Sequence, residues 1–518
     1  VEKHLGHIIL TFLLLMSGCR GDETPPTEAR PNVIVILADD LGYSDLGCYG
    51  GEINTPNLDR LAAGGIRFRN FYNTGRCCPS RAALLTGQYP HAVGMGGMVS
   101  APDAAIEPGP YQGFLDPGVP TLAEELREIG YATFASGKWH VGERPQHWPL
   151  RRGFDRYFGL ISGASSYYTI RKDQPRLRQM VLDSLPWHPP QQGFYATEAY
   201  GDYAAEILEE HANSDLKNAP FFLYLAYTAP HWPLHAPDST IEQYLPRYTA
   251  GWDSLRIDRF QRQAALGIWE PSVQLPAMDA DLPRWTDVAA PELWVRKMAT
   301  YAAMVEEMDR SIGKVLGVLS DQGKLANTLV IFLSDNGGCA ENVAGRGLHD
   351  PEVPVGRPGS YVAYDRPWSQ LSNVPFRRYK AWTNEGGIST PMIMHWPAKI
   401  APAGGWVPGY GHIIDLAPTI RRAAGLETQR EGPGIDLIGS LDAPRVRPLF
   451  WEHLGQAAMR EGDWKIVRNR PDMQWQLFHL GDDPTESKDL AEENADRVGR
   501  MATSYATWAK QVGVRGPD

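Results

Sequence analysis

Residues 32–38, NVIVILA, form an unbroken apolar run rich in β-branched side chains. A strand with one wet face alternates apolar and polar residues. A run without alternation must be covered on both faces, as in a parallel sheet sandwiched between helices. Similar runs at residues 221–227 and 328–333, with shorter ones at 131–136 and 391–395, extend the pattern. Helical periodicity at residues 122–129, 202–211 and 293–319 falls between them. Strands alternating with helices predict an α/β domain with a large, mostly parallel central sheet flanked by helices. Ligands of such domains sit beyond the carboxyl ends of the strands, so chemistry is sought in the polar residues just after each run.

This main domain is expected over residues 32–425. Gly- and Pro-rich residues 426–445 mark a boundary. Strand-like pieces near 449–451, 457–460, 464–467 and 475–480 follow, and then a helical pattern over 494–511. They predict a smaller C-terminal α+β subdomain over 426–518, a short antiparallel sheet plus a helix, closing one side of the site. Residues 232–291, rich in Pro and Trp without clear periodicity, are expected to form a long loop region. No internal repeat is visible.

Residues 1–18 read as a signal peptide of the lipoprotein type. The apolar run at 8–16 is too short to span a bilayer comfortably. Ser17-Gly18 before Cys19 resembles a bacterial lipobox, in which that cysteine is lipidated. An ordinary secretory signal is the alternative. Both place the protein outside the cytoplasm, in the periplasm or anchored to the outer membrane. Residues 19–31 read as a tether. The other cysteines, Cys48, Cys77, Cys78 and Cys339, do not form a disulfide framework, and Cys48 and Cys339 read as small buried residues. With 61 acidic and 50 basic residues the net charge is -11, which argues against nucleic acid as the main partner. A few lysines around a metal can still hold a small anion.

Two acidic pairs stand at strand ends. Asp39-Asp40 follows the first run and Asp335-Asn336 follows the run at 328–333. Their oxygens can converge on one hard cation. Carboxylates with an Asn carbonyl suit calcium better than zinc, and magnesium shares the oxygen preference. The same residue types also serve as turn and helix-cap residues. A third segment, Cys77-Cys78-Pro79-Ser80-Arg81 and the residues up to Gly87, places Pro79 in the first turn of a helix. Cys77 then stands at the helix N-terminus, where free amides favour negative charge, and Arg81 lies one turn on. Two buried cysteines before an ordinary helix would show the same composition.

The string CCPSRAALLTG resembles the signature of the type I sulfatases, formylglycine-dependent members of the alkaline phosphatase superfamily, at every fixed position. Cys77 falls in the register of the cysteine that the family converts to formylglycine, and Cys78 at a variable position. Gly137-Lys138-Trp139-His140-Val141-Gly142, Ala229-Pro230-His231, Asp335-Asn336-Gly337-Gly338 and Lys380 ahead of Glu385-Gly386-Gly387 resemble further family motifs in the same order. The likeness extends from about residue 31 to 490.

The resemblance implies hydrolysis of sulfate esters by a formylglycine nucleophile at position 77. It implies one calcium ion held by Asp39, Asp40, Cys77 in its converted form, Asp335 and Asn336. Arg81, Lys138 and Lys380 would clamp the sulfuryl oxygens. His231, with Lys380, would protonate the leaving alcohol, and His140 would deprotonate the second hydroxyl of the hydrated aldehyde to release sulfate. The partners implied are a formylglycine-generating or sulfatase-maturing enzyme and a sulfated small molecule or oligosaccharide. Two alternatives share these residues: a phosphonate monoester or phosphodiester hydrolase of the same superfamily, and a lipoprotein that binds sulfated glycans without cleaving them. Trp139, Tyr167, Tyr168, Trp232, Trp382 and Trp451 are candidate sugar platforms and His453 a further contact, although most large aromatics are core residues.

Overall fold

In a computed structural model of the chain, residues 29–101, 104–170, 178–400, 404–426, 432–441, 443 and 445–516 are described. The signal segment and the lipid site expected at Cys19 lie outside them. No helix among the described residues is long and apolar enough to cross a membrane.

The main sheet has ten strands: β1 (Asn32–Ala38), β2 (Ile66–Tyr72), β3 (Ala132–Gly137), β4 (Arg156–Leu160), β5 (Met180–Leu182), β6 (Leu185–Trp187), β7 (Phe221–Ala226), β8 (Thr328–Ser334), β9 (Met392–His395) and β10 (Gly405–His412). Their order is β10-β2-β9-β8-β1-β7-β3-β4-β5-β6. The centre, β8-β1-β7-β3-β4, is parallel. β9 runs antiparallel to both its neighbours, and the hairpin β5-β6 closes one edge, so the sheet is mixed around a parallel centre. The apolar run that opened the sequence argument is the middle strand. Ile34, Ile36 and Ala38 enter one hydrophobic core, and Val33, Val35 and Leu37 enter the other. The first core is covered by the helices Ala196–Asn213, Asp238–Tyr248 and Pro291–Asp321, the second by Cys77–Thr86, Leu122–Glu128 and Leu416–Ala423.

Four antiparallel strands, β11 (Leu449–His453), β12 (Gln456–Glu461), β13 (Trp464–Arg468) and β14 (Trp475–His479), form the C-terminal sheet. The helix Ala495–Val512 packs on it through Met501, Tyr505 and Trp508, within the second core.

Residues 232–291 depart from the expected long loop: they contain the helices Asp238–Tyr248 and Gly251–Ala265. Ile241, Tyr244 and Tyr248 supply a helical stripe, but Pro246 inside the first helix and Gly251, at φ +72° as the first residue of the second, break the pattern. Tertiary ion pairs compensate. Arg259, fully buried, holds Asp45 at 2.6 Å and Glu52 at 2.7 Å.

Candidate active site

The parallel strands β1 and β8 end side by side, Ala38 opposite Ser334, so the residues that follow them are neighbours by register. Asp39 and Asp40 continue β1, and Asp335 and Asn336 continue β8. The backbone N–H of Asp335 donates to Ala38 O at 3.1 Å, and that of Asp40 donates to Asp335 Oδ1 at 3.3 Å. Asp40 has φ +68°, and His140, beyond β3, has φ +57°. These are left-handed conformations that cost energy in non-glycine residues and cluster at functional sites. Gly163 leaves room for His140, since a Cβ there would lie 2.3 Å from its Nε2.

The helix Cys77–Thr86 begins at the site, with Cys77 1% exposed. One turn on, Arg81 donates to Asp335 Oδ2 from Nη2 at 2.8 Å and from Nε at 3.2 Å, and to Lys138 O from Nη1 at 3.0 Å. Lys138 Nζ donates to Asp39 Oδ2 at 2.5 Å. Lys380 Nζ lies 2.7 Å from Asp40 Oδ1, and Asn336 Nδ2 donates to the same oxygen at 2.7 Å. His231 Nδ1 lies 2.6 Å from Trp232 O, leaving Nε2 3.5 Å from Asp40 Oδ2. His140 Nε2 is 3.4 Å from Cys78 Sγ, and all three ligating atoms of Cys77, Cys78 and His140 lie within 4.8 Å of one another. The expected catalytic and metal residues, Asp39, Asp40, Cys77, Arg81, Lys138, His140, His231, Asp335, Asn336 and Lys380, are therefore buried together at one place.

The electrostatics follow from that burial. Burial raises the Asp39 carboxyl with help from Asp335, against Lys138 and Arg81. Burial also acts on Asp40, but Lys380, His231 and the bonds from Lys380 and Asn336 outweigh it and take its carboxyl to about 2. Burial, reinforced by Lys138, lowers His140 to about 3. His231 also falls to about 3, by burial against the pull of Asp40. Both imidazoles are thus neutral. A hydrogen bond from Cys78 overcomes burial and draws the Cys77 thiol well below its usual value.

Two acceptors in this charged set, Asp39 Oδ1 and Asn336 Oδ1, are buried without a hydrogen-bond partner among the described residues. Orphaned buried oxygens are rare, and here they stand beside Asp40 and Asp335. The donor set is all oxygen, which fits a hard cation.

Several sequence expectations resolve differently. Trp139, Tyr167 and Trp451 are buried scaffold: the two indoles donate to His147 O and Asn73 O, and the Tyr167 hydroxyl to Thr228 O and His231 O. The Trp232 ring lies 4.5 Å from the His231 ring, inclined at 45° to it, with the Arg346 guanidinium over its face. Tyr168 and Trp382 keep partial exposure. Sequence reasoning missed Arg76 and Glu341, paired at 2.8 Å beside the site. Arg76 could have been found as the residue preceding Cys77, whereas Glu341 carries no local signal.

A sulfatase family model matches residues 31–426. An uncharacterized sulfatase of Schizosaccharomyces pombe is 33% identical over 543 residues, covering 94% of this chain and 95% of the relative. An arylsulfatase of Klebsiella aerogenes is 35% identical over 447 residues, covering 80% and 91%. The crystal structure of Ps i-CgsB superposes with a TM-score of 0.70 at 27% identity, covering 94% of both chains. Its complex with k-i-k-neocarrahexaose gives 0.69. Because the family match takes in every expected catalytic and metal residue, from Asp39 to Lys380, the chain belongs to the sulfatase family and is a sulfuric ester hydrolase.

Proposed function

We propose that Cys77 is converted to formylglycine, that the site holds one calcium ion, and that the natural substrates are sulfated carbohydrates, with simple aryl sulfates also cleaved. The observation that carries the metal reading is the pair of unpaired buried oxygens, Asp39 Oδ1 and Asn336 Oδ1. Asp39, Asp40, Asp335, Asn336 and the converted residue 77 would hold the ion. When present, calcium supplies positive charge for the sulfuryl oxygens, and hydrated formylglycine supplies two hydroxyls on one carbon.

The remaining tasks belong to encoded side chains. Arg81, Lys138 and Lys380, fixed by buried ion pairs, neutralise and orient the sulfate group without reorganising. Asp40 holds the Lys380 ammonium charged against the effect of burial, so Lys380 and its neighbour His231 form a pair able to deliver a proton to the departing alcohol. His140, beside Cys77, is the base placed to take a proton from a hydroxyl on residue 77. Sulfated saccharides are favoured over small esters alone by the likeness to Ps i-CgsB, which was crystallised with an oligosaccharide. Cys77 is 1% exposed, so a maturing enzyme has to reach it before the segment folds.

The test pairs mass analysis of the residue-77 peptide with turnover of nitrophenyl sulfate. The aldehyde is expected at 77 in natively produced protein, with activity abolished by Cys77→Ala and retained by Cys78→Ala. An unmodified thiol in active protein, or the reverse pattern in the two variants, overturns the assignment.

A further inference from the structure

Cys78 has no task in sulfate ester chemistry, yet it is a fully buried thiol inside a cluster of sulfur and nitrogen donors. Its Sγ lies 3.4 Å from His140 Nε2 and 3.8 Å from Met98 Sδ. The ligating atoms of Cys77, Cys78 and His140 all stand within 4.8 Å of one another. Both cysteines are free thiols on the first turn of the helix Cys77–Thr86. His140 is fixed against them by its N–H, which donates to Ile161 O at 3.1 Å, and by the room that Gly163 leaves for its ring. Met98, 38% exposed, carries the cluster to the surface.

Two thiols, an imidazole and a thioether are the donors of a soft metal ion. Zinc takes thiolate, imidazole and carboxylate, so the thioether favours Cu(I). The spacing agrees. In a tetrahedral site with metal–sulfur bonds of about 2.3 Å and metal–nitrogen bonds of about 2.0 Å, neighbouring sulfurs stand about 3.8 Å apart, and sulfur and nitrogen about 3.5 Å. The helix N-terminus favours thiolate at Cys77. Each thiol gives its proton to solvent on ligation, so one Cu(I) between two thiolates leaves a single negative charge. Lys138 and Arg81, whose charges act on Cys77, offset it. Asp39 Oδ1 and Asn336 Oδ1, the oxygens that carry the calcium reading, are outside this set.

The geometry points to a metal site peculiar to the unconverted chain, in which Cys77, Cys78, His140 and Met98 bind one Cu(I) ion. Conversion of residue 77 removes a thiolate and with it the site; that step alone rests on the formylglycine reading. The test uses full-length protein shown by mass to keep the thiol at 77. Cu(I) is added under anaerobic, reducing conditions against the chelator bathocuproine disulfonate. One ion per chain is expected to be retained. Cys78→Ser and His140→Ala should each weaken retention at least about tenfold, a loss that even an outer partner of a metal site can cause. Met98→Leu should weaken Cu(I) by a similar factor and leave Zn2+ binding unchanged, and Cys48→Ala should alter neither. X-ray absorption at the copper edge of the unaltered chain, which needs no variant to fold, should show three sulfurs and one nitrogen. No retained copper, retention indifferent to His140 and Met98, or a copper shell of two sulfurs alone would sink the proposal. Protein carrying the aldehyde should lose the site. Full retention there would sink it too, whereas a thiol in natively produced active protein overturns the formylglycine reading and leaves the copper titration to stand or fall by itself.

Discussion

Arg81 has no exposed surface, and its guanidinium meets a carboxylate, a carbonyl and the Tyr224 hydroxyl, the last at 3.5 Å. Lysine carries the same charge but cannot present the fork. Arg81→Lys is therefore expected to lower kcat/KM on an aryl sulfate by about a hundredfold or more, the scale of losing one oriented donor in a dry site. Near-native kinetics in this variant would mean that charge alone suffices. Asp39, Arg81 and Lys138 could be picked out in the sequence because each stands in a short motif beside a strand end or helix start. The burial of His453 with both ring nitrogens unpaired among the described residues could not: whether a buried nitrogen finds a partner depends on segments far apart in the chain. For the same reason Trp139 and Trp451, adjacent to motif residues or subdomain strands, gave no sign that their indoles are spent on backbone carbonyls of the scaffold.

Lys380 stands on a segment held largely by the C-terminal sheet. Glu385 Oε1 lies 2.7 Å from Lys465 Nζ on β13, and Glu486 Oε1 lies 2.8 Å from the same ammonium. Glu486 Oε2 accepts from Asn384 Nδ2 at 2.9 Å and from the Glu385 N–H at 3.0 Å, and Asn469 Nδ2 donates to Asn384 Oδ1 at 2.8 Å. Arg378 and Ala381, on either side of Lys380, have φ +67° and +74°, strain that the surrounding bonds must hold. Lys465→Met leaves two buried carboxylates without their shared cation, a loss of about 3–5 kcal/mol. We expect a lower thermal midpoint together with reduced kcat at temperatures where the variant remains folded. A midpoint drop with native kcat would show that the sheet stabilises the segment without positioning Lys380. Of these elements, the strands of the C-terminal sheet were legible from short apolar pieces. The helices Asp238–Tyr248 and Gly251–Ala265 were not, because Pro246 and Gly251 mask a periodicity that Arg259 and its ion pairs sustain.

At the scale of the whole molecule, charge balance decides what the protein does without its cation. Asp39, Asp40 and Asp335 are matched by Lys138, Lys380 and Arg81, so the metal-free site carries no net excess of buried carboxylate charge. A bound dication would make the set positive, which suits a sulfate anion, and the balance without it predicts a fold that persists in its absence. Two cores on either face of the sheet, joined by β1, keep the strand ends together in either condition. Chelation should therefore abolish turnover and leave the chain folded. Because an ion that binds only the native state stabilises it by mass action, readdition of calcium should raise the thermal midpoint progressively, by about 2.7 kcal/mol of stability at a hundred times its dissociation constant. Asn336→Ala, which removes one of the two unpaired oxygens together with the amide that donates to Asp40, should lower the chelated midpoint and also shift the calcium response to higher concentration. Calorimetry across a calcium series, read beside nitrophenyl sulfate turnover, separates the outcomes. Unfolding on chelation would mean that the three basic side chains do not compensate the carboxylates. A midpoint and activity both indifferent to exhaustive chelation and to calcium would mean that the oxygens beside β1 and β8 hold no exchangeable ion.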